Sequence, residues 1–145
     1  CINTIMDWIY QGVKYEPPKD FSTDDYYGFV YMITNRTNGR KYVGKKFFWS
    51  KKTLPPLKGK KRKRRSIIES NWREYYGSNK HLVEELETHG DVFYREILHL
   101  CKTKGECSYM ETKEQFDRDV LLSDDYYNGI INCRIGSNAI KNLKK

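Results

Sequence analysis

Two tyrosines on short apolar segments are the first side chains in this sequence that could move a proton. Tyr31 and Tyr42 are eleven positions apart, and Lys45 and Lys46 follow closely after the second tyrosine. Because the ordinary pKa of a phenol is about 10, a tyrosine needs positive charge beside it to act as a base at neutral pH. Two tyrosines on adjacent strands are more often core or cross-strand partners, so the pair alone indicates a site only weakly.

A run of basic residues is the second feature with obvious chemistry. Residues 50–65 contain no acid and nine basic side chains, namely Lys51, Lys52, Lys58, Lys60, Lys61, Arg62, Lys63, Arg64 and Arg65. Removing these nine from the 27 Lys and Arg leaves 18 against 19 Asp and Glu, so the formal net charge of +8 comes from this segment. Such a concentration of charge predicts a polyanionic partner. A nuclear localisation-like patch or a solubilising surface is the alternative interpretation.

The two tyrosines lie on segments that predict the strands of a β-hairpin. Residues 29–33 and 41–44 are short runs rich in strand-forming residues. The Asn38-Gly39 step between them is the strongest local hairpin signal, because both residue types tolerate positive φ. We therefore expect the two runs to pair as antiparallel strands.

Downstream of the basic run the sequence predicts helices and one more strand, which makes the fold class α+β. The predicted elements are helices over 66–75, 79–89 and 106–122 and a strand over 92–100. Ser78 is a suitable N-cap for the middle helix, and Gly90 is its expected C-terminal stop. Tyr109, Phe116 and Val120 have spacings that place them on one face of the last helix.

Length and composition limit the class of protein. With 145 residues, 38% of them hydrophobic, the chain predicts a single domain with a modest core. We expect an N-terminal arm over 1–27 and a domain over 28–145 that contains a basic insertion loop at 50–65. No apolar stretch approaches the roughly 18 residues that span a bilayer, and no secretion signal is visible. The four cysteines lack zinc-binding spacing, so free thiols and a cytoplasmic location are expected.

The order of these features resembles the GIY-YIG nuclease family. The resemblance covers residues from about Gly28 to Cys133, and the order of the motifs looks like that of the bacteriophage Seg-type homing endonucleases. Its pieces are Val30-Tyr31, Tyr42-Val43-Gly44, Tyr75-Tyr76-Gly77-Ser78, His81-Leu82, Phe93, Glu96-Ile97-Leu98 and Glu111. In the first motif Phe29 replaces the glycine and Val30 replaces the isoleucine, but both substitutions keep strand character and leave Tyr31 in place.

The resemblance implies a small domain with a three-stranded antiparallel sheet flanked by helices, and a metal-dependent DNA endonuclease activity. In the family a single glutamate holds one divalent cation, and Glu111 matches that position better than Glu106 or Glu114. Mg²⁺, or Mn²⁺, suits such a site because Mg²⁺ keeps most of its waters and needs few protein ligands. By the same analogy Tyr42 takes a proton from the attacking water, and Tyr31 orients that water or the phosphate.

The family also uses an arginine on the scissile phosphate and a late asparagine. At the position of that arginine this sequence has Lys51 and Lys52, so the role cannot be assigned by position alone. We expect Arg73, on the predicted helix before the Y-Y-G-S turn, to hold the phosphate, with Arg65 as the reserve. For the asparagine, Asn128 fits the Tyr-Asn pattern better than Asn132.

The leading hypothesis is a Mg²⁺-dependent endodeoxyribonuclease that acts on double-stranded DNA, homing-like or nicking, in the cytoplasm of a bacterial host. The side chains expected to contact DNA are Lys45, Lys46, Lys60, Lys61, Arg62, Lys63, Arg64, Arg65 and His81. A single site per chain makes nicking by a monomer or dimerisation on DNA the expected options. Two alternatives remain: a catalytically inactive nucleic-acid-binding protein of the same fold, and an unrelated basic RNA-binding protein in which Tyr42 and Glu111 lie far apart.

Overall fold

The protein is an α+β structure built from a central sheet, a separate hairpin and helices. The computed structural model describes residues 7–77, 79–89 and 93–144. The strands are β1 (Ile9–Tyr10), β2 (Val13–Lys14), β3 (Gly28–Asn35), β4 (Lys41–Phe47), β5 (Trp49–Leu54), β6 (Arg64–Glu69) and β7 (Phe93–Cys101). The α-helices are α1 (Lys80–His89) and α2 (Lys104–Asp117), and two 3-10 segments cover Trp72–Glu74 and Ser137–Leu143.

The central sheet has five strands in the order β2-β1-β7-β3-β4. β3 pairs antiparallel with both β4 and β7, so the predicted hairpin and the predicted third strand are confirmed. The expected sheet of three antiparallel strands is incomplete, because the N-terminal arm adds β1, which runs parallel to β7, and β2. These added strands have two residues each, too few to show an alternating pattern in the sequence.

The segment that follows β4 differs most from the sequence-based expectation. Residues 50–65 are not simply a loop, since β5 and β6 form an antiparallel hairpin from Trp49↔Glu69 to Leu54↔Arg64. The predicted helix over 66–75 is wrong, because its first half belongs to β6 and only a short 3-10 turn follows. The β-branched Ile67 and Ile68 fit a pleated strand better than a helix, and cross-strand pairing outweighs the helix-compatible composition around them.

Alternation along β3 sends side chains into a separate core on each face of the sheet. Phe29, Tyr31 and Ile33 pack on one face, in a cluster that includes the buried arm residue Trp8 and Leu82 of α1. On the other face, Val30, Met32 and Val43 pack with Cys101, Cys107 and Val120. The central strands therefore separate the two cores.

Both predicted downstream helices are present, although their details differ. α1 begins near the expected residue, with Asn79 Oδ1 accepting from the Leu82 N–H at 3.2 Å, while Ser78 and Gly90 lie outside the described residues. α2 turns Cys107 and Gln115 toward the sheet, whereas Tyr109 and Phe116 are exposed. The expected apolar face was therefore wrong for these two aromatics, because the buried side of α2 includes polar residues that hydrogen-bond to the sheet edge. None of the described helices is long and apolar enough to cross a membrane.

Candidate active site

The tyrosine of the first motif is buried at the centre of an aromatic cluster. Tyr31 is 1% exposed, and its ring centroid lies 6.2 Å from that of Tyr42, 6.0 Å from Tyr75 and 5.3 Å from Trp8. Burial raises the pKa of Tyr31 well above its ordinary value, and a side-chain hydrogen bond with Tyr75 raises it further. Tyr31 therefore keeps its proton at neutral pH and is suited to donate a hydrogen bond rather than to act as a base.

The tyrosine of the second motif lies on the same face but nearer the solvent. Tyr42 is half-buried on β4, across from Ile33 of β3. The same face carries Lys46, whose ammonium nitrogen lies 4.3 Å from the centroid of the Tyr75 ring. Burial lowers the pKa of Lys46. The rim of the cluster thus combines a solvent-accessible phenol with a partly desolvated positive charge.

The glycine of the second motif is explained by the close approach of Tyr31. Gly44 is the cross-strand partner of Tyr31. A Cβ atom on Gly44 would lie 2.6 Å from the Tyr31 hydroxyl and 3.0 Å from Tyr42 Cε2. Gly77 lines the same pocket at φ +89°, where an added Cβ would lie 3.3 Å from the Tyr31 hydroxyl. Both glycines make room for the phenol groups.

Replacing Gly44 by alanine is expected to destabilise the domain by about 1–3 kcal/mol, because the added methyl group overpacks a buried ring. The displaced Tyr31 hydroxyl should also lower any nuclease activity. Urea unfolding of the purified variant measures the first effect. Gly129→Ala is the matched control, since an added Cβ there meets nothing within 4 Å. Equal stability of the two variants would show that the contact at Gly44 relaxes without cost.

Glu111 reaches the same stretch of β4 from the opposite face of the sheet. Its carboxylate, 14% exposed, accepts a hydrogen bond from the backbone N–H of Lys45, and its Oε1 lies 3.8 Å from Lys45 Nζ. Lys45 Nζ also donates to Ser108 Oγ at 2.8 Å. Burial raises the pKa of Glu111, and Lys45 partly opposes this shift. The charge of Glu111 is close enough to contribute to the raised pKa of Tyr31.

Three successive outward-facing N–H groups hold the free edge of β4 in place. The N–H of Lys41 donates to the Asp125 carbonyl at 2.8 Å, that of Val43 to Asn128 Oδ1 at 3.0 Å, and that of Lys45 to Glu111. Capping an edge strand in this way prevents pairing with another chain. It also fixes the Glu111 carboxylate one residue away from Gly44, which packs against the Tyr31 hydroxyl.

Comparison with known families identifies the group to which this arrangement belongs. A family model described as "Putative endonuclease segE, GIY-YIG domain" matches residues 8–131. The chain belongs to this family. The match begins in the N-terminal arm, so the SegE GIY-YIG domain includes β1, β2 and the β5–β6 hairpin as well as the central strands. No curated protein and no solved structure matches the chain significantly.

Two of the expected site residues of this GIY-YIG domain lie in unexpected surroundings. Both ends of the Asn128 amide are occupied by Val43, since Nδ2 donates to its carbonyl at 2.8 Å while Oδ1 accepts from its N–H. In this position Asn128 holds the backbone of β4. Arg73 is directed toward Glu69, 3.4 Å away, and toward the ring of Trp72. There it lines a cavity of about 550 Å³ against the N-terminal arm.

Two lysines lie beside the candidate site, whereas Arg65 lies on the β5–β6 hairpin. Lys46 lies over the Tyr75 ring, and Lys45 lies at Glu111. Arg65, the reserve choice, is exposed on β6 opposite Thr53. His81 is exposed in the first turn of α1. Among the described residues, no group of three or more His, Cys, Asp or Glu side chains could hold a metal ion together.

A buried arginine that sequence reasoning did not select supports the aromatic cluster from behind. Arg95 of β7 is 1% exposed, and its guanidinium lies 4.5 Å from the Trp8 ring and 4.3 Å from the Tyr76 ring. Its Nη1 donates to the Tyr75 carbonyl at 2.9 Å, which fixes the backbone that presents the Tyr75 ring to Tyr31. Burial lowers the pKa of Arg95 to about 10. The sequence signal that could have identified Arg95 is its alternation with Phe93 and Ile97, which puts it on the buried side of β7.

Proposed function

We propose that this protein is a Mg²⁺-dependent endonuclease that hydrolyses phosphodiester bonds of double-stranded DNA. The observation that carries the proposal is the convergence of Tyr31, Tyr42 and Glu111 around Gly44 in a chain of the SegE GIY-YIG family. An unrelated RNA-binding protein predicts Tyr42 and Glu111 far apart, which this arrangement disfavours.

Glu111 fits the role of a cation ligand. Its carboxylate is mostly buried and its pKa is raised, so the ionised form lacks full compensation from Lys45. A single carboxylate suits Mg²⁺, which retains several waters and also binds phosphate oxygens. A bound Mg²⁺ or Mn²⁺ would stabilise negative charge on the phosphate and on the leaving 3′ oxygen.

The other catalytic roles in this proposal belong to side chains on the face of the sheet that carries Tyr31. Tyr42, half-buried at the rim, accepts a proton from the attacking water. Tyr31 stays protonated and orients the water or the phosphate through its hydroxyl. Lys46 replaces Arg73 as the group that holds the scissile phosphate, because Arg73 is directed toward Glu69.

Incubation of supercoiled plasmid with the protein tests this proposal. With Mg²⁺ we expect nicked or linear product, and chelation by EDTA should abolish it, because a divalent cation stabilises the charge that develops at the phosphate. DNA binding without cleavage under Mg²⁺ or Mn²⁺ would instead support a catalytically inactive nucleic-acid-binding protein. Analytical ultracentrifugation on a short duplex distinguishes a monomer that nicks from a dimer formed on DNA.

Neutralising residues 60–65 is expected to weaken DNA binding and to flatten its dependence on salt. Each phosphate that the variant no longer neutralises should reduce the slope of log K against log[salt] by about 0.9, because fewer counterions are released. Fluorescence anisotropy of a labelled duplex at several salt concentrations measures the slope. Replacement of the exposed Lys141 and Lys144 by glutamine is the control. An unchanged slope in the hairpin variant would exclude phosphate contact by the basic run.

A further inference from the structure

The outer part of the β5–β6 hairpin has one face that is open to solvent. Cross-strand partners share a face, and residues two apart on a strand share it as well. The pairs Lys51↔Ile67 and Thr53↔Arg65 therefore form one face, and all four side chains are exposed. We call this set of four the open face.

The other side of the hairpin is only partly covered, since Ser50, Lys52, Arg64 and Ile68 there are also exposed. Leu54 and Ser66 on this side are half-buried, and Arg64 Nε donates to the Pro55 carbonyl at 3.2 Å. Ile68, opposite Ser50, also lies on this side. We call the set of Ser50, Lys52, Leu54, Arg64, Ser66 and Ile68 the back face.

The open face carries apolar groups that phosphate binding does not require. Lys51 and Arg65 supply positive charge, but Ile67 is 50% exposed between them and Thr53 adds a second methyl-bearing side chain. Phosphate oxygens gain nothing from a methyl group. In the major groove of DNA, by contrast, apolar side chains contact the C5-methyl of thymine, while Arg and Lys bind N7 and O6 of guanine.

The dimensions of the hairpin fit the same groove. The major groove is about 12 Å wide and admits a two-stranded β-ribbon. Two residues along a strand span about 6.7 Å, which matches two base-pair steps of about 3.4 Å. The turn between β5 and β6 carries Lys58 and the basic residues at 60–63, placed to contact the phosphates that flank the groove.

We infer that the open face of the β5–β6 hairpin reads base pairs in the major groove of double-stranded DNA. Ile67 and Thr53 contact thymine methyl groups, and Arg65 and Lys51 contact guanine. The hairpin is then a specificity element as well as an electrostatic one. This inference rests on the proposed function, since it takes double-stranded DNA as the substrate.

Selection from a randomised duplex pool, in EDTA so that no strand is cut, gives the preferred sequence. The same duplex is then synthesised with deoxyuridine in place of thymidine at the selected positions, which removes only the C5-methyl groups. The wild-type protein should bind the uracil duplex about fourfold more weakly for each methyl contacted, the factor expected for burial of one methyl group.

Variants on the two faces provide the matched comparison. Ile67→Ser should reduce the discrimination between thymine and uracil by the factor expected for one methyl contact while leaving the salt slope unchanged, and Thr53→Ser should reduce it as well. Ile68→Ser, on the back face, should keep the wild-type discrimination. If circular dichroism shows that Ile67→Ser loses the hairpin, Ile67→Ala, which retains a small apolar side chain, should still reduce the discrimination.

The outcomes separate this inference from the proposed function. DNA binding with no sequence preference, or equal affinity for thymine and uracil duplexes, would overturn the reading role of the open face and leave the nuclease proposal standing. Sequence-selective binding without cleavage in Mg²⁺ would leave the reading role standing and overturn the nuclease. An effect of Ile68→Ser equal to that of Ile67→Ser would assign the readout to neither face in particular and would contradict the inference.

Discussion

Replacing Glu111 by glutamine is expected to lower Mg²⁺-dependent cleavage of supercoiled DNA by about 10²- to 10³-fold or more. Glutamine removes the negative charge that a divalent cation needs, and charge stabilisation of this kind contributes several kcal/mol to catalysis. The amide oxygen can still accept the hydrogen bond from the Lys45 N–H, so the edge of β4 stays in place. Initial rates of plasmid nicking, with Mg²⁺ titrated for both proteins, measure the effect.

The stability of the same variant shows whether the loss is chemical. Because burial raises the pKa of Glu111, its ionised form is less favourable in the folded than in the unfolded chain at neutral pH. Removing the charge should therefore leave the free energy of unfolding equal or slightly higher near pH 7. Glu106→Gln on the same helix is the control, since its side chain accepts from the Lys102 N–H at the helix start. Cleavage that survives Glu111→Gln would refute the assignment of the metal ligand.

The second large effect is expected from Tyr42→Phe, which should reduce cleavage by about 10²- to 10⁴-fold, the range for loss of a general base. The substitution removes one hydroxyl and keeps the ring that packs at 6.2 Å from Tyr31. Affinity for DNA should therefore remain close to that of the wild-type protein. Single-turnover cleavage at saturating protein separates the chemical step from binding.

Tyr94→Phe is the matched control for this experiment. Tyr94 lies on β7 across from Thr34, and its ring contacts the Arg36 guanidinium rather than the aromatic cluster. Its replacement should leave the cleavage rate unchanged. Wild-type cleavage by Tyr42→Phe would show that Tyr42 does not accept the proton. A loss confined to DNA affinity would make Tyr42 a substrate-binding residue instead.

Local patterns were sufficient to predict the hairpin that carries both tyrosines. The strand-forming runs around Tyr31 and Tyr42, with Asn38-Gly39 between them, depend on residues close in sequence, and the pairing followed directly. The helices at 80–89 and 104–117 were also predicted, although α2 ends at Asp117 rather than at 122 and the apolar face assigned to it was wrong. Glu111 was selected through a family resemblance, and its position at the Lys45 N–H places it beside the hairpin.

Long-range pairing explains the expectations that failed. Ile67 and Ile68 were assigned to a helix because their partners at Lys51 and Ser50 are distant in sequence, and the antiparallel register is not visible in either segment alone. The arm strand Ile9–Tyr10 was missed for the same reason, since only its contact with β7 makes it a strand. Tertiary contacts of this kind override local propensity.

Residue types and their local order predicted the family and the hairpin, and both predictions are confirmed. They also selected Tyr31, Tyr42 and Glu111 as the candidate phenols and carboxylate. The charged groups that accompany them became visible only in the folded chain. Lys46 lies at the aromatic cluster. Arg73 instead contacts Glu69 and the Trp72 ring, and the Asn128 amide bonds to the backbone of Val43. Side-chain direction follows from packing and hydrogen bonding across elements, and no local pattern encodes those contacts.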